Sequence, residues 1–169
     1  MIRPVSIYPD PCLVEPAPHI ETFDEDIKSL ARDLIDTMYS YDAAGIAAPQ
    51  IGVSLAVFVI NGVIVDNKRD PLADPVVFVN PTLTGWSDDS ESGVEGCLSF
   101  PKGFTYVTRP LSCHVSAYDT NGSCFTVSAS GFYSRAIQHE YDHLCGTLMS
   151  DRASDLNRKI LLKKHLRAK

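Results

Sequence analysis

Gln138-His139-Glu140-Tyr141-Asp142-His143 sits inside a run from Gly131 to Leu144 whose composition and spacing predict a helix. His139 and His143 stand four positions apart, about one helical turn, so both imidazoles leave one face and can grip a single metal ion. Glu140 follows the first ligand and points toward the rim of that site, where a carboxylate can handle a water's proton. Two ligands do not hold a zinc or iron ion, so a third must come from another part of the chain. The motif helix is therefore the element the fold has to be built around.

The chain has 169 residues, which predicts one domain over 1–169, long enough to bury a core without staples. Apolar residues make up 44% and charged residues 21%, the balance of an ordinary soluble globular protein. No apolar run approaches the roughly 20 residues a membrane span needs. Met1-Ile2-Arg3-Pro4 lacks the layout of a signal or transit peptide, so the expected workplace is the cytoplasm. Five cysteines, an odd number, read as reduced thiols, with one available for chemistry. The net charge is −6, yet six of the 15 basic residues fall in the last 12 positions, from Arg158 to Lys169. Such a tail suits a polyanion such as RNA; the alternative is a solvated helix end whose cations favour the dipole.

Along the chain, Tyr8-Pro9-Asp10-Pro11 predicts an ordered turn laid over the core. Ile27, Leu30, Ala31, Leu34, Ile35 and Met38 predict an amphipathic helix over about Thr22–Tyr39, capped by Thr22 or Asp24. Short strands are expected at Leu55–Ile60, Val63–Val65, Val76–Asn80 and Pro81–Gly85. Asp66–Asp74 and the acidic Trp86–Ser92 read as loops. Leu111–Tyr118 alternates like a half-buried strand and turns through Asp119-Thr120-Asn121-Gly122 into Cys124–Ala129. A last helix should run from about Ser154. The order predicts an α+β fold, with short antiparallel β-sheets packed around the central H-E-x-x-H helix and helices at either end.

The third ligand is not read easily downstream. Gly146 fits the longer motif H-E-x-x-H-x-x-G-x-x-H, but Met149 stands where its last histidine belongs. Asp151, Asp155 and His165 have no recognised spacing, and Cys145 points nearly opposite to His143. Upstream, Glu95-Gly96-Cys97-Leu98-Ser99 offers a thiol among small residues. Cys plus two His would leave a fourth position open, the mark of a catalytic site. By spacing alone Cys97 is one candidate among five cysteines, and a cysteine is otherwise a small core residue.

Glu95-Gly96-Cys97-Leu98-Ser99, Gln138-His139-Glu140-x-x-His143 and Gly45-Ile46-Ala47-Ala48-Pro49-Gln50 resemble the three motifs of the peptide deformylase family, in order. The likeness extends to Tyr8-Pro9-Asp10-Pro11-x-Leu13 and Asn80-Pro81, covers nearly the whole chain and is of the bacterial type. It implies hydrolytic removal of the formyl group from the N-terminal formyl-methionine of nascent polypeptides. It implies a metal held by Cys97, His139 and His143, one divalent ion that is ferrous iron in most members, with zinc, nickel or cobalt as alternatives. It implies Glu140 as general base and acid, with the Gln50 side chain and the Leu98 backbone N–H facing the oxyanion. Gln50 as an exposed loop amide and Leu98 as a core residue are the plainer alternatives. For the substrate it implies Ala44, Gly45, Ile46, Glu95, Gly96, Phe132, Arg135 and Ala136, with the stem of Arg135 lining an apolar wall.

The resemblance also gives the basic tail a partner in the ribosome, Leu161, Leu162 and Leu166 seating the helix while its cations face RNA. His19, His114 and His165 match nothing and read as surface or structural residues. Ala43 replaces a usual glycine, Phe100 a smaller aliphatic residue, and Phe104 an arginine that contacts the substrate backbone; Arg109 is the candidate to compensate, which the sequence alone does not show. A metallopeptidase and a metal-bound module without activity are the other readings. Cleavage of unformylated peptides would favour the first, and binding without hydrolysis the second.

Overall fold

The computed structural model describes residues 1–62, 64–65, 68–69 and 74–167. Val63, and most of the loop expected at Asp66–Asp74, lie outside the described residues, as do positions 168–169 of the basic tail. In chain order the elements are α1 (Glu25–Ser40), β1 (Gly45–Ala47), β2 (Val57–Ile60), β3 (Ile64–Val65) and β4 (Lys68–Arg69). They continue with β5 (Val76–Trp86), β6 (Ser90–Gly96), β7 (Phe104–Pro110), β8 (Ser112–Tyr118), β9 (Cys124–Ser130), α2 (Gly131–Leu144), α3 (Met149–Arg152) and α4 (Asp155–Arg167).

Five strands form one antiparallel sheet in the order β1-β2-β5-β8-β9. Val57-Phe58-Val59-Ile60 is buried at every position because both sheet faces are covered. Val57 and Val59 join Leu34 and Met38 of α1, whereas Phe58 and Ile60 join Tyr133 and Ile137 of α2. Each such fully buried side chain contributes about 1.5–3 kcal/mol. Asp24, not Thr22, caps α1, its Oδ1 accepting from the N–H groups of Asp26 and Ile27 at 3.1 and 3.3 Å.

β5 is one strand where two were expected, with its register against β8 shifting between Val79 and Thr82. At that break Asn80 has φ 48°, a region asparagine tolerates, and its amide clamps Ile20 through both N–H and C=O at 2.8 Å. β6 and β7 form a separate two-stranded ribbon, so Ser90–Ser92, expected in a loop, belong to a strand. Its inward face carries Glu95, Thr105, Val107 and Arg109, and the three polar members hide the apolar alternation that would have marked the strands.

α2 ends in a Schellman motif: the Thr147 N–H reaches Asp142 C=O at 2.9 Å and the Gly146 N–H reaches His143 C=O at 3.2 Å. Gly146 has φ 67°, and a side chain there would also strike the Val14 carbonyl. α4 seats through Leu161, fully buried, and through His165, whose ring nitrogen Nε2 lies 2.7 Å from the Tyr8 carbonyl. His165 is edge-on to Tyr8 and Phe100. Leu166, expected to help seat the helix, is 67% exposed; the buried histidine takes that place. The N-terminal arm crosses the same region, with the Ser6 N–H on Gln50 C=O (2.7 Å) and the Tyr8 N–H on Ser99 C=O (2.9 Å).

Candidate metal centre and active site

His139 and His143 lie one turn apart on α2, ring centroids 5.1 Å apart, and Cys97 follows directly on the end of β6. The ligand atoms of the three residues lie within 4.8 Å of one another, with Cys97 Sγ 3.3 Å from His143 Nε2. Among the described residues this is the one such cluster of His, Cys, Asp and Glu. His139 Nδ1 lies 2.8 Å from Glu95 Oε2; that contact assigns the proton to Nδ1 and leaves Nε2 for an ion. Burial pushes His143 well below its ordinary value, so its imidazole stays neutral. A thiol and two imidazoles in a cleft are a fit donor set for a divalent ion with a position left open.

Glu140 is buried beside the histidines, and its Oε2 has no hydrogen-bond partner among the described residues. Burial pushes its carboxyl up to about 7, against the opposing effect of His139. A buried carboxylate oxygen with no donor is expensive unless a ligand or water supplies one. Gly45 keeps the space: a Cβ there would fall 2.8 Å from Ile60 and 2.9 Å from the Glu140 side chain. Left-handed φ falls on Asp42, at 50°, and not on Ala43, so alanine in place of the usual glycine carries no backbone strain there.

Behind the ligands runs a buried ion network. Arg109 donates Nε and Nη2 to Glu95 at 2.6 and 3.0 Å and Nη1 to Asp142 at 2.8 Å. Arg152 holds the other side of Asp142 at 2.7 Å, and Arg135 donates to Glu95 at 2.9 Å. Burial alone would raise the Glu95 carboxyl; hydrogen bonds from His139 and Arg109 override it and hold it well below the ordinary range. Arg109, the candidate to compensate for the arginine missing at Phe104, is 4% exposed and spent on Glu95 and Asp142. Glu95 borders the cleft, but its oxygens are committed to His139, Arg109 and Arg135. Had β7 been recognised, its period of two would have turned Arg109 inward with Thr105 and Val107.

The cleft has a volume of about 830 Å³. Ala44, Gly45, Glu95, Gly96, Leu98, Phe132, Arg135 and Ala136 border it, as do Gln50, Cys97, His139 and Glu140. Ile46 does not; its side chain is buried against α1, while its backbone lies on β1, the end strand of the sheet. His143 lies beneath the cleft, 1% exposed. Gln50 is not a loop amide in solvent: it is 2% exposed, accepts from the Ala47 N–H at 2.9 Å, and directs Nε2 at Cys97 Sγ and Ser99 Oγ at 3.4 and 3.3 Å. Arg135 keeps its stem on the cleft while its head bonds Glu95 and the carbonyls of Val107 and Glu91.

A thiol and two imidazoles beside a buried carboxyl, the imidazoles on a helix packed against an antiparallel sheet, define a metal-dependent hydrolase of the H-E-x-x-H type. The sequence pattern of the polypeptide deformylase family matches residues 2–159. Peptide deformylase of Agrobacterium fabrum is 39% identical over 167 residues, covering 99% of this chain and 96% of that one. That of Brucella suis is 37% identical over 163 residues, with 96% and 91% covered. The crystal structure of a peptide deformylase from Legionella pneumophila superposes with a TM-score of 0.89 at 36% identity, covering 99% and 95% of the two chains. The chain belongs to the polypeptide deformylase family, enzymes that deformylate nascent peptides.

Proposed function

We propose that Cys97, His139 and His143 hold one divalent ion, ferrous iron, and that the cleft removes the formyl group from N-terminal formyl-methionine. The observation that carries the reading is the partnerless Glu140 oxygen beside the three converging donors. Held by Cys97, His139 and His143, such an ion would supply Lewis-acid chemistry, making hydroxide available near neutral pH and polarising the formyl group. Glu140, with its carboxyl near neutrality, takes the proton of the attacking water and returns it to the departing nitrogen. The C–N bond breaks, leaving formate and a free amine. Gln50 Nε2 and the Leu98 N–H meet the negative oxygen, one such donor being worth about 3 kcal/mol.

Phe132, Ala136 and the Arg135 stem receive the methionine side chain, opposite Ala44 and Gly45, with Glu95 and Gly96 closing the wall. The substrate backbone adds to the outer edge of β1 at Gly45 and Ile46 in extended form. Arg158, Lys159, Lys163 and Lys164 are exposed on α4 and suit docking on ribosomal RNA, which fits a cytoplasmic workplace. Because α4 is also pinned by His165, charge reversal at Lys163 and Lys164, rather than deletion, tests that docking by salt-dependent co-sedimentation.

The experiment for the reaction is formate release from a formyl-Met tripeptide by protein loaded anaerobically with ferrous iron. Cys97→Ala and the unformylated peptide serve as controls. Metal-dependent release lost in the variant is expected; bound metal without release would overturn the assignment.

A further inference from the structure

β9 is the last strand of the five-stranded sheet, and no described element pairs with its outer edge. Bonds at the two ends of the β8–β9 ladder fix which backbone groups face that edge. The Gly131 N–H reaches Leu111 C=O and the Asp119 N–H reaches Ser123 C=O, each at 2.9 Å. The register runs unbroken between them, so the odd-numbered residues of β9 turn their backbone groups toward β8. Cys124, Thr126, Ser128 and Ser130 therefore present N–H and C=O to the open side, and all four are exposed.

Folded proteins blunt such an edge with charge, proline, a bulge or short length. At the other end of the sheet β1 has only three residues. β9 has seven, with no proline and no bulge, and no charged side chain occurs anywhere from Thr120 to Ser134. Two copies of a chain with net charge −6 can approach at this strand without like charges meeting. The inward row is also incomplete: Ala129 is buried, whereas Phe125 and Val127 pack against the core beside α2 and are covered only in part.

We infer that β9 pairs antiparallel with β9 of a second copy, across a two-fold axis at Val127, making one continuous sheet of the two. This register suits the parity of the edge. Thr126 exchanges bonds with Ser128 of the second copy, and Cys124 with Ser130, so the whole strand is used. On the inward face Val127 meets Val127, and Phe125 meets Ala129, large against small. The contact is isologous and closes at two copies. An interface built on one strand buries less than the roughly 800 Å² per partner of a standard contact, so a weak dimer is expected.

Sedimentation equilibrium of the metal-loaded protein from roughly 5 to 500 µM brackets a micromolar constant. The mass should rise from 18.5 kDa toward twice that value and no further. Thr126→Pro removes an outward N–H while sparing the β8 ladder, and the two-fold removes it twice, so association should weaken at least about tenfold. Melting of the dilute variant checks that the monomer is folded. A second measurement reads the register directly. In a Cys124→Ser background, Val127→Cys stands opposite itself in a close, non-hydrogen-bonded pair and should cross-link two copies on mild oxidation. Thr126→Cys faces Ser128 and should not. A monomer at every concentration, a dimer that the folded Thr126→Pro variant keeps, growth beyond two copies, or cross-linking of Thr126→Cys in place of Val127→Cys overturns the pairing.

Discussion

Replacing Arg109 with methionine isolates the ion network behind the histidines. Methionine keeps an unbranched stem but removes the charge and the three bonds to Glu95 and Asp142. Taking one partner from a buried ionic group costs about 3–5 kcal/mol, because the remaining charge is left in a low dielectric. Here Glu95 keeps Arg135 and His139, and Asp142 keeps Arg152, so the lower end, about 3 kcal/mol, is expected. At this chain length that is a fall of roughly 6–12 °C in melting temperature. A bound ion adds stability of its own, so the measurement is urea unfolding of chelator-treated protein. A second effect follows from Glu95, which orients His139: affinity for the ion should drop about 10–100-fold, read by competition with a chromophoric chelator. A loss under about 1 kcal/mol, the worth of a surface pair, together with unchanged affinity would refute the network's role.

Glu140→Ala should retain the ion, measured by metal content, while kcat falls by about 10²–10⁴, the usual share of general acid–base catalysis. Gly45→Ala should cost about 1–3 kcal/mol by overpacking against Ile60 and Glu140, and should depress kcat more than it depresses unfolding. Gly146→Ala combines a left-handed φ of 67° with a clash at the Val14 carbonyl; a loss of at least about 1–2 kcal/mol in urea unfolding is expected, and ion affinity should change little.

The two long helices were legible because an amphipathic period and a spaced motif survive without tertiary context. α2 runs over Gly131–Leu144 as its sequence predicts. The β6–β7 ribbon was not, because its inward positions hold Glu95, Thr105 and Arg109, whose burial depends on partners elsewhere in the chain. Asn80-Pro81 looked like a strand end; a clamp on Ile20 lets the strand continue through it. At the centre, the residues nominated as ligands converge, since the His-His spacing is local chemistry. What no local pattern could reveal was how their supports are wired. Arg109 looked available for substrate and is an internal tie, and His165, read as a surface or structural residue, is the structural one, a buried anchor.

The arm over residues 6–8 ties the backbone of Gln50 to that of Ser99, the two segments that supply the side-chain amide and the thiol. Under a pull from the N-terminus the bonds of Met1 and Arg3 to Asp33, Asp36 and Thr37 of α1 are met first, and those two hydrogen bonds next. Tension applied there would strip the arm from these two segments, which the Gln50 side chain still joins to Cys97 Sγ and Ser99 Oγ, before it disturbed the sheet, whose five strands share any load across many bonds. A protein tethered by its first residues would thus shed its arm under a force that leaves the α2 helix and the core folded.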